Sequence, residues 1–251
     1  MAKSKIRLDK LLVDRGLAPS RERAQAMILA GYVLVDEQKV EKAGTPVELN
    51  ATIRLLGEDL KYVSRGGLKL ERALEHWKIR LDEKVCADIG ASTGGFTDCM
   101  LQHGAARVIA IDTGYGQMSL KIRRDSRVRL VENANARYLT RELFGDSAGF
   151  LAMDVSFISA TLVLPVVVAA CFPDALERRG CQMVILVKPQ FEVGRELVGK
   201  GGIVRDESAQ LAAVEKVRRC AIELGCAKTD VIESPILGAE GNREFLLYAV
   251  F

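Results

Sequence analysis

The hydrophobic and polar positions of this 251-residue chain follow two different patterns, and the change falls near residue 57. Leucines recur at helical spacing in residues 6–17, and Pro19-Ser20 opens a second helical stretch that ends at Gly31. Short alternating runs then predict strands at residues 32–35, around 40, at 47–49 and at 52–56. The chain is therefore predicted to begin with a small α+β module, with Gly57-Glu58-Asp59 at its boundary.

After this boundary, apolar runs alternate with helical patterns, which is typical of an α/β domain. One helix is predicted over residues 70–77, and another begins at residue 96. Strands are predicted at residues 85–87, 107–111, 128–131 and 150–153. The fold class that this pattern indicates is α/β.

The most informative segment is the glycine-rich turn at residues 88–98, DIGASTGGFTD, which lies between a buried strand and a helix. Such a turn brings backbone close to a nucleotide-like ligand at the carboxyl end of a strand. Gly90 and Gly94 can adopt positive φ and leave room that a Cβ would fill. The next strand ends in Asp112, 24 residues after Asp88, near the spacing at which a carboxylate binds ribose hydroxyls. A glycine-rich loop without a ligand is the alternative.

Two further motifs overlap this turn. Ser92 stands at the second glycine position of a dinucleotide-binding loop, where its side chain crowds a pyrophosphate, so the turn favours S-adenosylmethionine over NAD. Residues 90–94 also satisfy G-x-S-x-G, the nucleophile elbow of α/β-hydrolases, which needs an acid and then a His downstream. The chain has only His76 and His103, and no His follows residue 103. A hydrolase triad in that order is therefore excluded.

Charge is distributed unevenly along the chain. Residues 1–80 carry 16 Lys and Arg against 11 Asp and Glu, whereas residues 81–251 carry 20 against 22. A basic front on a near-neutral body indicates a polyanionic partner that the front binds. A solvated surface without a partner is the alternative.

The remaining composition predicts a reduced, cytoplasmic protein. The six cysteines show no metal-ligand spacing with the two His, so they are interpreted as small buried residues and no metal is expected. The first residues lack the apolar stretch of a signal peptide. Residues 155–173 carry no charge, but Ser156, Ser159 and Thr161 interrupt them. We interpret this segment as a loop and a buried helix, and we expect no membrane association.

Residues 6–35, IRLDKLLVDRGLAPSRERAQAMILAGYVLV, resemble the RNA-binding domain first described in ribosomal protein S-four. The resemblance implies that basic side chains of the two helices bind RNA phosphates. The chain departs from that domain at Asp36-Glu37, where the hairpin turn is often Asn-Gly. A basic helical hairpin that packs on the next domain is the alternative. The residues expected to bind RNA are Arg7, Lys10, Arg21, Arg23 and Arg65.

Three motifs of the second part extend the resemblance to nearly the whole chain. VSRGGLKL at 63–70, MDVSF at 153–157 and VKPQFEVG at 187–194 accompany the glycine-rich turn, and this combination resembles the TlyA or hemolysin-A family. Members of that family are rRNA 2′-O-ribose methyltransferases with an FtsJ-like catalytic domain. The resemblance implies a Rossmann-like, seven-stranded, mostly parallel sheet whose final strand, 244–251, is reversed. It divides the chain into domains at 1–59 and 60–251, with 60–69 as a linker.

The resemblance also implies a catalytic group, because FtsJ-type enzymes use a Lys-Asp-Lys-Glu tetrad. By local motif its members here are Lys69, Asp154, Lys188 and Glu244. Strand ends converge at the carboxyl edge of a sheet, and a partly buried Lys between carboxylates can hold a ribose hydroxyl and stabilise the alkoxide that develops. Structural ion pairs are the alternative for each residue.

S-adenosylmethionine is the cofactor that the resemblance implies, and ribosomal RNA or a ribosomal subunit is the partner of an expected monomer. Asp88 is expected either at the cofactor or as an organiser of the turn. A non-catalytic RNA-binding assembly factor and a cytolytic, membrane-acting protein are the rival functions. The residues expected to bind the cofactor are Asp88, Gly90, Ser92, Gly94, Phe96, Asp112, Asn135 and Asp154.

Overall fold

The computed structural model describes residues 5–55, 61–172, 174, 177–238 and 240–251. Contacts within the chain separate two units, Met1–Arg65 and Gly66–Phe251. The separation falls inside the segment 60–69 that was expected to be a linker. The boundary predicted at Gly57-Glu58-Asp59 lies outside the described residues.

The first unit contains two helices and two small sheets. β1 pairs antiparallel with β4, and β2 pairs antiparallel with both β3 and β5. The apolar faces of the two helices pack with β2 and β4 into one core. The elements are β1 (Lys5–Arg7), α1 (Leu8–Asp14), α2 (Arg21–Leu29), β2 (Val33–Val35), β3 (Gln38–Lys39), β4 (Pro46–Glu48) and β5 (Ile53–Leu55).

The first helix begins two residues later than predicted, because Ile6 belongs to β1 and pairs with Val47. The second helix begins as predicted, since the Ser20 hydroxyl accepts a hydrogen bond from the Arg23 amide and caps it. The hairpin between β2 and β3 keeps its turn without glycine. Asp36 and Glu37 both have positive φ, 49° and 64°, as a type I′ turn requires.

The second unit alternates strands and helices. Two short 3-10 helices, Ala136–Tyr138 and Arg195–Leu197, complete it. The elements are α3 (Gly66–His76), β6 (Val85–Ile89), α4 (Gly95–Gln102), β7 (Arg107–Ile111), α5 (Leu120–Arg123), β8 (Val128–Val131), α6 (Arg141–Phe144), β9 (Phe150–Met153), α7 (Ala160–Cys171), β10 (Gln182–Val187), α8 (Pro189–Glu192), α9 (Glu207–Glu223), β11 (Lys228–Glu233) and β12 (Phe245–Val250).

Seven strands form one sheet in the order β11-β12-β10-β9-β6-β7-β8. β12 runs antiparallel to both of its neighbours, and the other pairings are parallel. The expected seven-stranded, mostly parallel sheet with a reversed final strand is therefore confirmed. β7 and β8 lie on one side of β6, and β9 and the later strands lie on its other side, so the strand order reverses at β6. Ligands of open α/β sheets bind beyond the carboxyl ends of the strands at such a reversal.

The uncharged segment after β9 is a loop followed by α7, whose apolar residues pack into the core of the sheet. This agrees with the interpretation made from the sequence. Within the described part of the chain, no helix is long and apolar enough to cross a membrane. The helix predicted over 70–77 begins earlier, at Gly66, so Lys69 lies in the first turns of α3 and not in a linker.

Candidate active site

The four residues of the expected tetrad lie in two pairs at one edge of the large sheet. Asp154 follows β9 and Lys188 follows β10, at the carboxyl ends of those parallel strands. Glu244 precedes β12, and because β12 is reversed, its beginning lies at the same edge. Val187 pairs with Phe245 at the end of that ladder, so Lys188 and Glu244 lie one step beyond it.

The first pair joins the strand ends of β9 and β10. Lys188 Nζ lies 2.5 Å from Asp154 Oδ1 and donates a hydrogen bond of 2.8 Å to Ser156 Oγ. The Lys188 side chain is 11% exposed and that of Asp154 is 23% exposed. The Asp154 side chain is therefore partly open to solvent, although the Oδ1 that faces Lys188 is buried, and we call this the open pair.

The second pair joins α3 to the start of β12. Lys69 Nζ lies 2.5 Å from Glu244 Oε2, and the two side chains are 10% and 3% exposed. Gly238 leaves the space that the carboxylate occupies, because a Cβ at this position would lie 2.4 Å from Glu244 Oε1. We call this the sealed pair. Removing one partner of such a buried pair leaves an uncompensated charge, at a cost of about 3–5 kcal/mol.

The glycine-rich turn passes directly over the end of β9. Gly90 has φ of 85°, and a Cβ on it would lie 2.3 Å from the carbonyl oxygen of Asp154. Only glycine permits this approach. Gly94 has φ of 93° and caps α4, and its nearest neighbour is the Ile122 side chain. Gly90 is therefore the position that brings the turn to the open pair.

Asp112 connects the turn to the loop after β7. Its Oδ2 accepts a hydrogen bond of 2.7 Å from the amide of Ser92, and its Oδ1 accepts one of 2.6 Å from the amide of Gly114. Ser92 itself has φ of 47°. The carboxylate expected to bind ribose therefore also holds two backbone loops in place.

Asp88 is completely buried at the end of β6. Its Oδ2 accepts a hydrogen bond of 2.5 Å from Thr97 Oγ1, while Oδ1 has no hydrogen-bond partner within the described part of the chain. Burial chiefly, together with repulsion from the carboxylates of Asp154 and Asp112, raises the pKa of Asp88 to about 7, although the hydrogen bond from Thr97 opposes the rise. A buried carboxylate with one unused oxygen suits a cationic ligand group.

Two further residues expected at the cofactor have local roles. The exposed Asn135 caps a 3-10 helix, since its Oδ1 accepts a hydrogen bond from the amide of Arg137. Phe96 is buried in α4. Their proximity to a cofactor stays a prediction.

The residues expected to bind RNA lie in the first unit. Arg7 and Arg21 are exposed and both bond to the carboxylate of Asp9, and Lys10 is exposed beside them. Arg23 Nη1 donates a hydrogen bond of 3.1 Å to the carbonyl of Tyr62. Arg65 is half-buried.

The motif VKPQFEVG contains a contact that was not anticipated. Glu192 is buried, accepts a hydrogen bond of 2.6 Å from the amide of Ala160 at the start of α7, and accepts one of 2.5 Å from Ser159 Oγ. Lys216 of α9 lies 3.2 Å from the same carboxylate. Glu192 therefore fixes α8, which begins directly after Lys188. The sequence did contain one signal for this contact, the acidic residue Glu192 in the motif that was chosen for Lys188.

A reversed seventh strand, a glycine-rich turn at the point where strand order reverses, and lysine–carboxylate pairs at that edge define a Rossmann-like methyltransferase. Residues 62–251 match the FtsJ-like methyltransferase family, and residues 6–53 match the S4 domain. The chain belongs to the FtsJ-like methyltransferases, in the group that includes TlyA and hemolysin A.

Relatives of known name resemble the chain over nearly its whole length. TlyA of Mycobacterium tuberculosis, named a 16S/23S rRNA (cytidine-2′-O)-methyltransferase, is 43% identical over 96% of this chain and 88% of its own. Hemolysin A of Brachyspira hyodysenteriae is 40% identical over 98% of this chain and 100% of its own. A solved structure from Streptococcus thermophilus, described as a candidate hemolysin, is 41% identical, has a TM-score of 0.74, and covers 99% of this chain and 89% of that one.

Proposed function

We propose that this protein methylates a ribose 2′-OH of ribosomal RNA with S-adenosylmethionine as the methyl donor. The observation that carries the proposal is the open pair, a lysine and a carboxylate 2.5 Å apart at the sheet edge over which the glycine-rich turn passes. The name of the M. tuberculosis relative supports the choice of ribose in ribosomal RNA.

The cofactor fits two features of this edge. Gly90 is a cradle that a Cβ would fill, and Asp88 Oδ1 is a buried oxygen that a methionyl ammonium group would pair with. When bound, S-adenosylmethionine supplies an electrophilic methyl group. Ser92, Gly94, Phe96, Asp112 and Asn135 complete the set of residues proposed to hold it.

The open pair is proposed to act on the ribose. The Lys188 ammonium, held by Asp154, hydrogen-bonds the 2′-oxygen and stabilises the negative charge that develops as the oxygen bonds to the methyl group and its proton passes to the Asp154 carboxylate or to water. Fixing the hydroxyl in line with the donor also makes the displacement effectively unimolecular. Lys69 and Glu244 hold the neighbouring start of β12. Residues 1–59 are the proposed RNA-binding domain, and 60–251 the catalytic domain.

The test is methyl transfer from labelled S-adenosylmethionine to ribosomal RNA isolated from cells that lack the gene. After digestion to nucleosides, we expect the label in a 2′-O-methylated nucleoside, reduced by about two to four orders of magnitude in Lys188→Ala. Label in a methylated base would contradict the ribose assignment, and absence of transfer to RNA or ribosomal subunits would contradict the proposal as a whole.

A further inference from the structure

The first unit buries one acidic residue directly beneath its basic surface. Asp9 is fully buried in α1. Its carboxylate accepts hydrogen bonds from Arg7 Nε at 3.0 Å and Nη2 at 2.9 Å, and from Arg21 Nε at 3.0 Å. Gln25 Nε2, at 3.0 Å, and the Lys10 amide, at 2.9 Å, donate to the same group. The hydrogen bonds from Arg7 hold the pKa of Asp9 well below its ordinary value, so this residue is ionised at any working pH.

The two arginines remain available to a ligand. Their side chains are 51% and 53% exposed although one edge of each guanidinium group faces Asp9. A free arginine side chain loses rotamer entropy when a ligand immobilises it. Arg7 and Arg21 have lost part of this freedom before any ligand arrives, because one carboxylate holds them both.

We propose that Asp9 is a positioning residue for RNA capture: its buried carboxylate fixes Arg7 and Arg21 as a preorganised receptor for phosphates of the RNA backbone. This inference rests on the proposed function, since its ligand is ribosomal RNA. It also makes an acidic residue favourable for binding a polyanion. Simple charge attraction predicts the reverse.

That opposition makes Asp9→Asn a decisive variant. It removes one negative charge from the RNA-binding surface, so charge attraction alone predicts tighter binding to any RNA. If Asp9 acts by fixing the arginines, ribosomal RNA should instead bind about tenfold more weakly, which corresponds to roughly 1.4 kcal/mol. Asp14→Asn is the matched control, because Asp14 is exposed in the same helix and its substitution makes the same change in charge.

The experiment measures the dissociation constant of the full-length protein for a ribosomal RNA fragment, and retention on a heparin column as a probe of general polyanion attraction. We expect Asp14→Asn to bind both at least as tightly as wild type. We expect Asp9→Asn to lose affinity for RNA while keeping its retention on heparin. Equal RNA affinity of the two variants would overturn the inference.

A second variant separates positioning from stability of the fold. The double variant with Arg7→Lys and Arg21→Lys keeps both positive charges, so the carboxylate of Asp9 still has cationic partners. It removes the planar guanidinium groups, whose forked donors fix the geometry. We expect weaker RNA binding at an unchanged melting temperature, and adding Asp9→Asn to this background should cause little further loss. Wild-type affinity of the double lysine variant, or a full additional loss in the triple variant, would overturn the inference. If wild-type protein itself fails to bind ribosomal RNA, the proposed function fails with it.

Discussion

The open pair and the sealed pair contain the same two chemical groups at the same separation of 2.5 Å, yet their surroundings differ. Glu244 is 3% exposed and is enclosed by the turn at Gly238, whereas Asp154 is 23% exposed and lies under the glycine-rich turn. An ion pair that solvent reaches can exchange a contact for a substrate hydroxyl. A pair excluded from solvent makes such an exchange less readily, so we expect Lys69 and Glu244 to support the site more than to meet the substrate. We therefore expect the open pair to meet the ribose and the sealed pair to support it.

The largest effect is expected at the open pair. Lys188→Ala should reduce methyl transfer by about two to four orders of magnitude, the usual range for loss of a positioned acid–base group. Affinity for S-adenosylmethionine should change little. Single-turnover transfer to ribosomal RNA measures the first quantity and calorimetry the second. Lys228→Ala is the control, because Lys228 is exposed at the first residue of β11, at the opposite edge of the sheet. Near-normal transfer in Lys188→Ala would make this lysine a structural partner only.

The sealed pair should respond chiefly in stability. Lys69→Met leaves Glu244 buried without its cation and should lower the free energy of unfolding by about 3–5 kcal/mol. Adding Glu244→Gln should restore most of that loss, since no uncompensated charge then remains. Denaturant titration of the two variants measures both values. Equal stability of wild type and Lys69→Met would show that the pair is not sealed in solution.

Two glycine variants displace one pair each without altering its charges. At Gly90, alanine adds strain at positive φ of about 1–2 kcal/mol and meets the backbone carbonyl of Asp154, so transfer should fall at least tenfold. At Gly238, the added Cβ would lie 2.4 Å from the end of the Glu244 side chain and would displace the sealed pair, so we expect methyl transfer to fall a few-fold. A larger loss in Gly238→Ala than in Gly90→Ala would reverse the assignment of the two pairs.

The last prediction concerns the pH dependence of stability. Asp88 has a pKa of about 7 in the folded protein against an ordinary value of 3.8, so between these values the folded state holds a proton that the unfolded chain has lost. The stability contributed by this group is complete below pH 3.8 and is lost as the pH rises through 7. Asp88→Asn should remove this slope from melting curves recorded between pH 4.5 and 8.

Because the carboxylate of Asp154 contributes to that raised pKa, Asp154→Ala should move the slope to lower pH, and Glu244→Gln should leave it in place. A slope that persists in Asp88→Asn would assign the pH dependence to another group.

Three strands of the large sheet are the elements whose limits the sequence predicted best. β7 and β9 have the predicted limits because parallel strands inside a sheet are almost entirely apolar, and the edge strand β8 has them although it contains Arg129. β1 was missed because three residues gain strand geometry only by pairing with β4, some 40 residues away. The start of α3 was placed too late because Gly66-Gly67 resemble a break.

For the site, local motifs were sufficient to select the two lysines and two carboxylates, but not to divide them. The division depends on burial, and burial depends on Gly238 and on the turn at Gly90, which tertiary structure brings to Glu244 and Asp154. The bonds from Glu192 to the start of α7 depend in the same way on residues 32 positions apart.

The most direct test of the account is a double-mutant cycle on the open pair, measured as single-turnover methyl transfer to ribosomal RNA. If Lys188 and Asp154 act on the ribose as one unit, Lys188→Ala and Asp154→Ala should each cause a large loss, and the double variant should lose far less than the product of the two. Losses that multiply would show that the two residues act independently and would contradict the assignment of the open pair as the group that meets the 2′-OH.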